Sequence, residues 1–330
     1  MACNAAFFRA VARYLHDFPR LVTPEIIREL IDECGVSEQE AFCAVLCAAL
    51  DIDEERSPRE ASLARDYIPR AVRALDPAPY RADPYFKNIC VPHKAVGEWK
   101  LTHETYAPYE GFVCGNLHTD DGFRAIPPIG YFVEEFSFPA VMQNGVEWMA
   151  IKPNEIETMR APIAAARGRV LAMGLGLGYY AYMASRKEEV SHVTVVEKDP
   201  AVIHLFREEL LPQFEQGGKI EIVCADALDF AEKVLPHGGY DTVFADLWHD
   251  AGDGLPLYAR LRGIEQKNVA PRFTYWIEDM LLSHLRSMVF AEIDAGKTPL
   301  LGFDAMRAAL SDGGLRVLAS GIGNEATENT

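Results

Sequence analysis

Three glycines in the second half of the sequence have the type and spacing of a ligand-binding loop. They form the pattern Gly-x-Gly-x-Gly directly after the apolar run at residues 170–173, and they are Gly174, Gly176 and Gly178. Glycine lets a backbone turn tightly and approach a ligand closely, and the start of the helix that follows offers free N–H groups. The pattern therefore predicts a strand, a binding loop and a helix in succession.

An acidic residue follows each of the next three predicted strands. Glu197 ends the β-branched run at residues 193–196, Asp226 follows the run at 220–224, and Asp246 ends the run at 242–245. The carboxyl ends of parallel strands lie at one rim of a sheet, which is where ligands bind in open α/β folds. We therefore expect the three carboxylates to face the same site as the glycines.

The carboxylates suit the parts of a nucleoside-like ligand. Glu197 can accept hydrogen bonds from two ribose hydroxyls. Asp226 can accept one from an adenine amino group, while the backbone of Ala227 addresses the edge of the ring. Asp246 can hold or deprotonate a nucleophile. Taken singly, Glu197 or Asp226 could equally be a solvated carboxylate at a strand end, and Asp246 could equally cap the next helix.

Other side chains near this rim each allow two interpretations, one functional and one structural. His249 could act as a base, since histidine titrates near neutrality, or could be a loop side chain exposed to water. Tyr179 and Trp248 could stack on adenine or substrate, or could simply pack. A phosphate-binding P-loop would need Gly-Lys-Ser/Thr, which is absent, and a nicotinamide-binding loop would need glycine where Tyr179 stands.

Strands and helices alternate from about residue 169 onward. The predicted strands cover residues 170–173, 193–196, 220–224, 242–245 and 273–277, with helical stretches between and after them. This alternation predicts right-handed crossovers and an α/β fold with a Rossmann-like, doubly wound, mostly parallel sheet.

Residues 1–90 predict a helical N-terminal domain. Helix-start signals occur at Thr23, Ser37 and Ser57. Pro69 should break or kink the third of these helices. The apolar stripe from Phe7 to Leu15 should pack on the body of the protein or on a second subunit, which leaves a homodimer open.

Residues 91–152 predict a small β-rich lead-in, and residues 153–330 the sheet domain. Asn144-Gly145 stands between two extended apolar runs, which favours a hairpin with a two-residue type I′ turn. Pro139 should keep the first strand of that hairpin at a sheet edge.

The charge, the length of the apolar runs and the cysteine pattern exclude several classes of binding partner and location. The chain has 49 acidic and 32 basic residues and a formal charge of −17, which disfavours nucleic acid. Its longest apolar run, residues 41–50, is shorter than the roughly 20 residues a membrane span needs. Seven cysteines without a Cys-x-x-Cys pair indicate reduced thiols, and no compact metal-ligand spacing occurs. Together with the lack of a signal peptide pattern, this predicts a cytoplasmic protein without a metal or a membrane partner.

The segment from about residue 168 to 277 resembles the class I S-adenosylmethionine-dependent methyltransferases. Its glycine pattern is similar to that family's first motif, Glu197 to the second, and Asp226 and Asp246 to the third- and fourth-strand positions. Within that superfamily the chain looks most like the spermidine-synthase branch, through the segments VTVVEKDPAVI and YDTVFADLWHD and the hairpin lead-in.

The chain departs from that branch at three places. The branch's glycine loop ends in an acidic pattern, where this sequence has Gly178-Tyr179-Tyr180. Its fourth-strand motif is Asp-x-x-Asp-Pro, where this sequence has Asp246-Leu-Trp-His-Asp250. The C-terminal third looks helical, where the family closes its sheet with an antiparallel hairpin.

The resemblance implies a methyltransferase that positions a small-molecule acceptor in line with the methyl group of S-adenosylmethionine. The cofactor residues would be Gly174, Gly176, Gly178, Tyr179, Glu197, Asp226 and Ala227. Asp246 would be the catalytic residue and His249 a second candidate, with residues 90–160 as one wall. Two alternatives stay open: aminopropyl transfer from the decarboxylated cofactor, and a non-catalytic relative that binds a nucleoside-like ligand or a protein.

Overall fold

The computed structural model describes residues 2–297 and 303–328. The ends of the predicted first and last domains, Met1 and residues 329–330, lie outside this range. The strands, in chain order, are β1 (Val72–Ala74), β2 (Lys94–Val96), β3 (Trp99–Tyr106), β4 (Phe112–Val113), β5 (His118–Thr119), β6 (Ala125–Ile126), β7 (Ile129–Tyr131), β8 (Phe136–Gln143), β9 (Val146–Ala150), β10 (Gly168–Met173), β11 (Val190–Glu197), β12 (Ile220–Cys224), β13 (Thr242–Ala245) and β14 (Arg272–Tyr275).

The α-helices are α1 (Ala2–Asp17), α2 (Pro24–Cys34), α3 (Glu38–Ala49), α4 (Pro58–Ser62), α5 (Ile68–Ala71), α6 (Ala78–Arg81), α7 (Pro84–Asn88), α8 (Pro153–Ala165), α9 (Tyr179–Ser185), α10 (Pro200–Leu205), α11 (Ala227–Lys233), α12 (Ala251–Lys267), α13 (Glu278–Asp294), α14 (Phe303–Leu310) and α15 (Asp312–Glu328). Two π-helical turns, Leu63–Tyr67 and Phe206–Leu210, and three short 3₁₀ turns complete the helical structure of the described residues. Among these residues no helix is both long and apolar enough to cross a membrane.

Strands β10 to β14 form the parallel sheet that the strand–helix alternation predicts. Their spatial order is β12-β11-β10-β13-β14, and each neighbouring pair is parallel. This order, 3-2-1-4-5, is that of a doubly wound Rossmann-like sheet. The winding reverses between β10 and β13, and the crevice outside the carboxyl ends of these two strands is where such a sheet binds ligands.

The central strands are continuous apolar runs because helices cover both faces of the sheet. Residues 170–173 of β10 and all of β13 are buried. The five predicted strands match the observed ones closely, and residues 220–224 and 242–245 match them at both ends.

Helices follow the fifth strand. In the described part of the chain no strand comes after β14; α13 and α14 follow it, as the sequence pattern indicated, and then α15. Sequence reasoning missed α15, whose four glycines lower its helix propensity. A Cβ built on Gly323 would overlap the carbonyl oxygen of Ala259 in α12, and one on Gly263 would lie 3.1 Å from the main chain of Gly323. Close backbone packing of α12 and α15 therefore uses the glycines that hide this helix in the sequence.

The contacts divide the chain into two compact units. One comprises Met1–Arg81, Glu104–Phe138 and Pro153–Glu157, and the other Ala82–His103, Pro139–Lys152 and Thr158–Thr330. This division differs from the predicted boundaries after residues 90 and 152. The reason is that strand pairing joins distant segments: β1, from the helical segment, pairs in parallel with β7, from the β-rich segment.

The first unit has its own core, in which the N-terminal stripe is buried. Phe7 and Tyr14 of α1 are fully buried there, and Phe42 of α3 stacks on Tyr131 of β7 with ring centroids 4.3 Å apart. Around Pro69 the expected interruption is a π-helical turn, Leu63–Tyr67, between α4 and α5. A π-helical turn is a common irregularity within a helix, and here it comes just before the proline.

The hairpin of β8 and β9 confirms the predicted turn and corrects the prediction for Pro139. Asn144 and Gly145 have φ angles of 52° and 81°, as a two-residue type I′ turn requires. Strand β8, however, lies between β3 and β9 and not at an edge. The carbonyl of Pro139 accepts from Ile151 N–H at 2.9 Å. Its nitrogen faces the same side, just beyond the end of β9, so the proline removes only a terminal ladder bond.

The packing of α12 on α15 gives a stability test with a matched control. Gly323→Ala should lower the free energy of unfolding by about 1–3 kcal/mol, because the new methyl group meets the Ala259 carbonyl. Gly321→Ala lies in the same helix with nothing within 4 Å of the added carbon, and should raise it by up to about 1 kcal/mol. Urea unfolding of both variants measures this, and equal shifts in the same direction would contradict the close approach.

Candidate functional site

The glycine loop lies at the carboxyl end of β10, and each of its glycines has a positive φ. The angles are 96° at Gly174, 50° at Gly176 and 74° at Gly178. A Cβ on Gly174 would overlap the main-chain oxygen of Asp246, and one on Gly178 would overlap the Phe206 ring. These two glycines are required by the packing of the chain on itself.

Gly176 differs from the other two because it faces a flexible side chain. A Cβ there would lie 3.1 Å from the sulfur of Met149 in β9. The end of a methionine side chain moves at little cost. Gly176 is therefore the glycine of this loop whose nearest neighbour could shift to make room.

Glu197 is tied to the loop by main-chain hydrogen bonds. Its Oε2 accepts from Leu175 N–H at 3.3 Å, and its Oε1 accepts from Asp199 N–H at 2.9 Å. A carboxylate offers about four acceptor positions, so capacity remains for a ligand. The half-buried carboxylate is thus held at the end of β11. A ribose would have to lie there to donate hydrogen bonds to it.

Asp226 is exposed after β12 and caps α11. Its Oδ1 accepts from Leu228 N–H and Asp229 N–H, each at 2.9 Å. Ala227 is the first residue of that helix and is buried. The helix-cap role that the sequence left open for Asp246 belongs to Asp226 in α11 and to Asp250 in α12.

Asp246 has no such partner. Its N–H donates to Met173 O at 3.0 Å, but in the described part of the chain no hydrogen bond or ion pair reaches its carboxylate. Burial raises the pKa of Asp246 from 3.8 to about 7. The residue as a whole is half-buried, and a carboxyl group that loses water without gaining a partner is costly. Such groups concentrate at functional sites, and this one can exchange a proton near neutrality.

His249 stands three residues farther along the same loop and remains accessible. Its Nδ1 lies 3.2 Å from Oδ2 of Asp253, and its ring meets the edge of Trp148 with centroids 4.0 Å apart. Trp148 precedes Met149 in β9, and the two side chains thus contact the β13 loop and the glycine loop respectively.

The tyrosines after the glycine loop are packing residues. The side chain of Tyr179 is 2% exposed, and its hydroxyl donates to Asp83 Oδ2 at 3.0 Å, which leaves only its main chain for a ligand. Tyr180 stacks on Phe244 of β13 with centroids 4.0 Å apart. Trp248 is buried against Gly254 of α12.

Residues that sequence reasoning missed form an aromatic wall beside the rim. Trp99 of β3 donates its indole N–H to Asp199 at 2.9 Å and meets Trp148 edge-to-face at 5.5 Å. The sequence assigned a wall to residues 90–160 but could not single out these side chains, because only strand pairing brings them together. Within the described ranges, no cluster of three or more His, Cys, Asp or Glu is arranged to hold a metal ion.

Comparisons with known proteins add distant structural similarity. No family model and no curated protein sequence matches the chain. A spermidine synthase in complex with the transition-state analogue AdoDATO is similar with a TM-score of 0.32 and 17% identity, over 43% of this chain and 52% of the other. The spermidine synthase from Thermotoga maritima has a TM-score of 0.34 and 15% identity, over 47% and 60%.

A third similar structure is a Streptococcus mutans protein provisionally assigned as a SAM-dependent methyltransferase. Its TM-score is 0.33 and its identity 16%, over 50% of this chain and 45% of that one. The match spans about half of each of these solved chains. Similarity at this level decides neither fold nor function, which rest on the topology and residues of the chain itself.

The buried carboxylate makes a prediction about stability and pH. Between pH 4 and 7 folded Asp246 keeps a proton that the unfolded chain has lost, so its contribution to stability falls as pH rises and levels off above pH 7. Asp246→Asn removes this loss. The free energy of unfolding of the variant minus that of the wild type should rise by roughly 2–4 kcal/mol from pH 4 to 8.

Asp229→Asn is the control for that measurement. Asp229 is exposed, and the hydrogen bond from Lys233 lowers its pKa, so its variant-minus-wild-type difference should change in the opposite direction. Denaturant unfolding across this pH range measures both. If the difference in free energy of unfolding between Asp246→Asn and the wild type did not change with pH, the pKa of the Asp246 carboxyl would not be raised in the folded protein.

Proposed function

We propose that this protein is an S-adenosylmethionine-dependent methyltransferase of the class I type that acts on a small-molecule acceptor. The observation that carries the proposal is the grouping at the switch point of the sheet. There the glycine loop, Glu197 and the unpaired carboxyl of Asp246 meet at the ends of neighbouring strands.

The donor set fits a cationic nucleoside better than a nucleotide. A pyrophosphate at a glycine loop needs free backbone N–H groups. Here the N–H of Leu175 already donates to Glu197, and the main-chain oxygen of Asp246 lies against Gly174. The Glu197 carboxylate and the Asp246 carbonyl oxygen at the loop oppose a phosphate and favour a sulfonium and an amino group.

Each residue of the rim has a task in this proposal. Glu197 accepts hydrogen bonds from the ribose, and Asp226 accepts one from the adenine amino group while it caps α11. Gly176 admits the ligand to the backbone. Asp246 holds the nucleophile of the acceptor. When bound, S-adenosylmethionine supplies a methyl group. The acceptor's nucleophilic atom forms a bond to the methyl carbon as the sulfur–carbon bond breaks, and the electron pair of the broken bond stays on sulfur.

The unpaired carboxyl also bears on the alternatives. A purely binding relative would gain stability by pairing or replacing Asp246, so the retained cost favours an enzyme. Aminopropyl transfer would use the same loop and the same carboxyl, and it is separated from methyl transfer by the products.

Cofactor binding is the first test. Calorimetry should detect binding of S-adenosylmethionine or of its demethylated product. Glu197→Gln should raise the dissociation constant about 10- to 100-fold, because one charged hydrogen bond to the ribose is lost. Glu221→Gln changes an exposed carboxylate of β12 that pairs with His192, and should leave the constant unchanged. An absence of binding to the wild type at millimolar ligand would overturn the proposal.

The leaving product identifies the group transferred. With S-adenosylmethionine and a panel of acceptors carrying amine, hydroxyl, thiol or carboxylate groups, we expect the demethylated cofactor by mass spectrometry. Methylthioadenosine from decarboxylated cofactor and putrescine would instead establish aminopropyl transfer. Binding without either product across the panel would favour the non-catalytic relative.

A further inference from the structure

The loop after β13 holds an imidazole and a carboxylate in contact. His249 Nδ1 lies 3.2 Å from Oδ2 of Asp253, the third residue of α12. A carboxylate at this distance accepts a hydrogen bond from Nδ1–H, which keeps the proton on Nδ1 and leaves Nε2 with its lone pair. The arrangement is that of a base with a fixed tautomer.

Main-chain groups hold the carboxylate in place independently of the ring. Asp253 accepts from Asp250 N–H at 3.0 Å and from His249 N–H at 3.2 Å to each oxygen. Burial alone would raise the pKa of Asp253, but these hydrogen bonds and that from the His249 side chain bring it below its usual value. Asp253 is therefore a fixed anion before any ligand binds.

The ring of His249 is held on its other side by a residue from a distant part of the chain. Trp148 of β9 meets it edge-to-face, with centroids 4.0 Å apart and an interplanar angle of 78°. The side chain of His249 keeps 45% of its surface exposed. A helix cap needs Asp253 but needs neither the imidazole nor Trp148, so capping alone does not account for the arrangement.

The surrounding charges leave Asp253 as the partner of the ring. On the same loop Asp250 is engaged by the main-chain N–H groups of Gly252 and Asp253. On β9, beside Trp148, Glu147 pairs with Lys152. Apart from His249, no basic side chain of the described residues forms an ion pair with Asp253, whose carboxylate is thus available to a positive imidazole.

We propose that Nε2 of His249 takes the proton of the acceptor. Asp253 is the positioning residue that keeps the imidazole's own proton on Nδ1. This inference rests on the proposed function and divides the work at the rim: Asp246 holds the acceptor and His249 removes its proton. The bond between the nucleophilic atom and hydrogen breaks, its electron pair stays on that atom, and a new N–H bond forms at Nε2. The resulting imidazolium is stabilised by Asp253.

The tautomer can be measured in the free protein. Nitrogen-15 NMR of the imidazole should show neutral His249 with its proton mainly on Nδ1. In Asp253→Asn the amide oxygen can still accept from Asp250 N–H, but the amide nitrogen can donate to Nδ1, so the proton should move mainly to Nε2. Asp229→Asn is the matched control at the third residue of α11, and should leave the His249 spectrum unchanged. A wild-type protein with its proton mainly on Nε2 would overturn the proposal.

Kinetics separate positioning from capping. Asp253→Asn and His249→Gln should each lower kcat about 100-fold or more, with the dissociation constant of the cofactor unchanged. In the His249→Gln background, Asp253→Asn should have little further effect, because the two residues act as one unit. An equal loss in both backgrounds would show that Asp253 acts only as a helix cap, and full activity of His249→Gln would remove the base.

Failure of the two proposals can be told apart. The Nδ1 tautomer in a protein that produces no demethylated cofactor would count against the methyltransferase function and, with it, against the base. Methyl transfer by a protein whose His249 carries its proton on Nε2, or in which His249→Gln is fully active, would overturn the inference for His249 and Asp253 alone.

Discussion

The candidate site depends on one close contact between two backbone segments. The main-chain oxygen of Asp246 occupies the space in which any side chain at residue 174 would stand, and the N–H of Asp246 bonds to Met173. The contact joins β10 and β13, between which the winding of the sheet reverses. Since that reversal opens the crevice for a ligand, glycine at position 174 determines where both the loop and the Asp246 carboxyl lie.

Two carboxyl groups at the ends of neighbouring segments of this rim differ in their partners. Glu197 reaches back to the loop and is satisfied by the N–H groups of Leu175 and Asp199. No hydrogen bond or ion pair among the described residues reaches the carboxyl of Asp246, and the loss of water around it raises its pKa. The two carboxyl groups therefore differ in whether main-chain N–H groups stabilise the charged form.

Local patterns predicted what local physics determines. The run that forms β13 was located at both ends because buried parallel strands are continuously apolar, and Asn144-Gly145 located the hairpin because both residues take positive φ. Helix α15 was missed because tertiary packing at Gly323 outweighs its poor propensity. The grouping of Trp148 with His249, and the place of Pro139 inside a sheet, depend on strand pairing across many residues, which no local pattern contains.

A glycine loop before a helix attracts anions by default, because its N–H groups are unpaired. This chain donates one of those groups, that of Leu175, to its own Glu197, and the main-chain oxygen of Asp246 packs against Gly174. The formal charge of −17 did not indicate this, since most of that charge lies elsewhere on the chain. An anion at this loop would therefore meet one fewer free N–H group and the nearby Glu197 carboxylate, so the way in which the chain satisfies its own loop limits what the loop can bind.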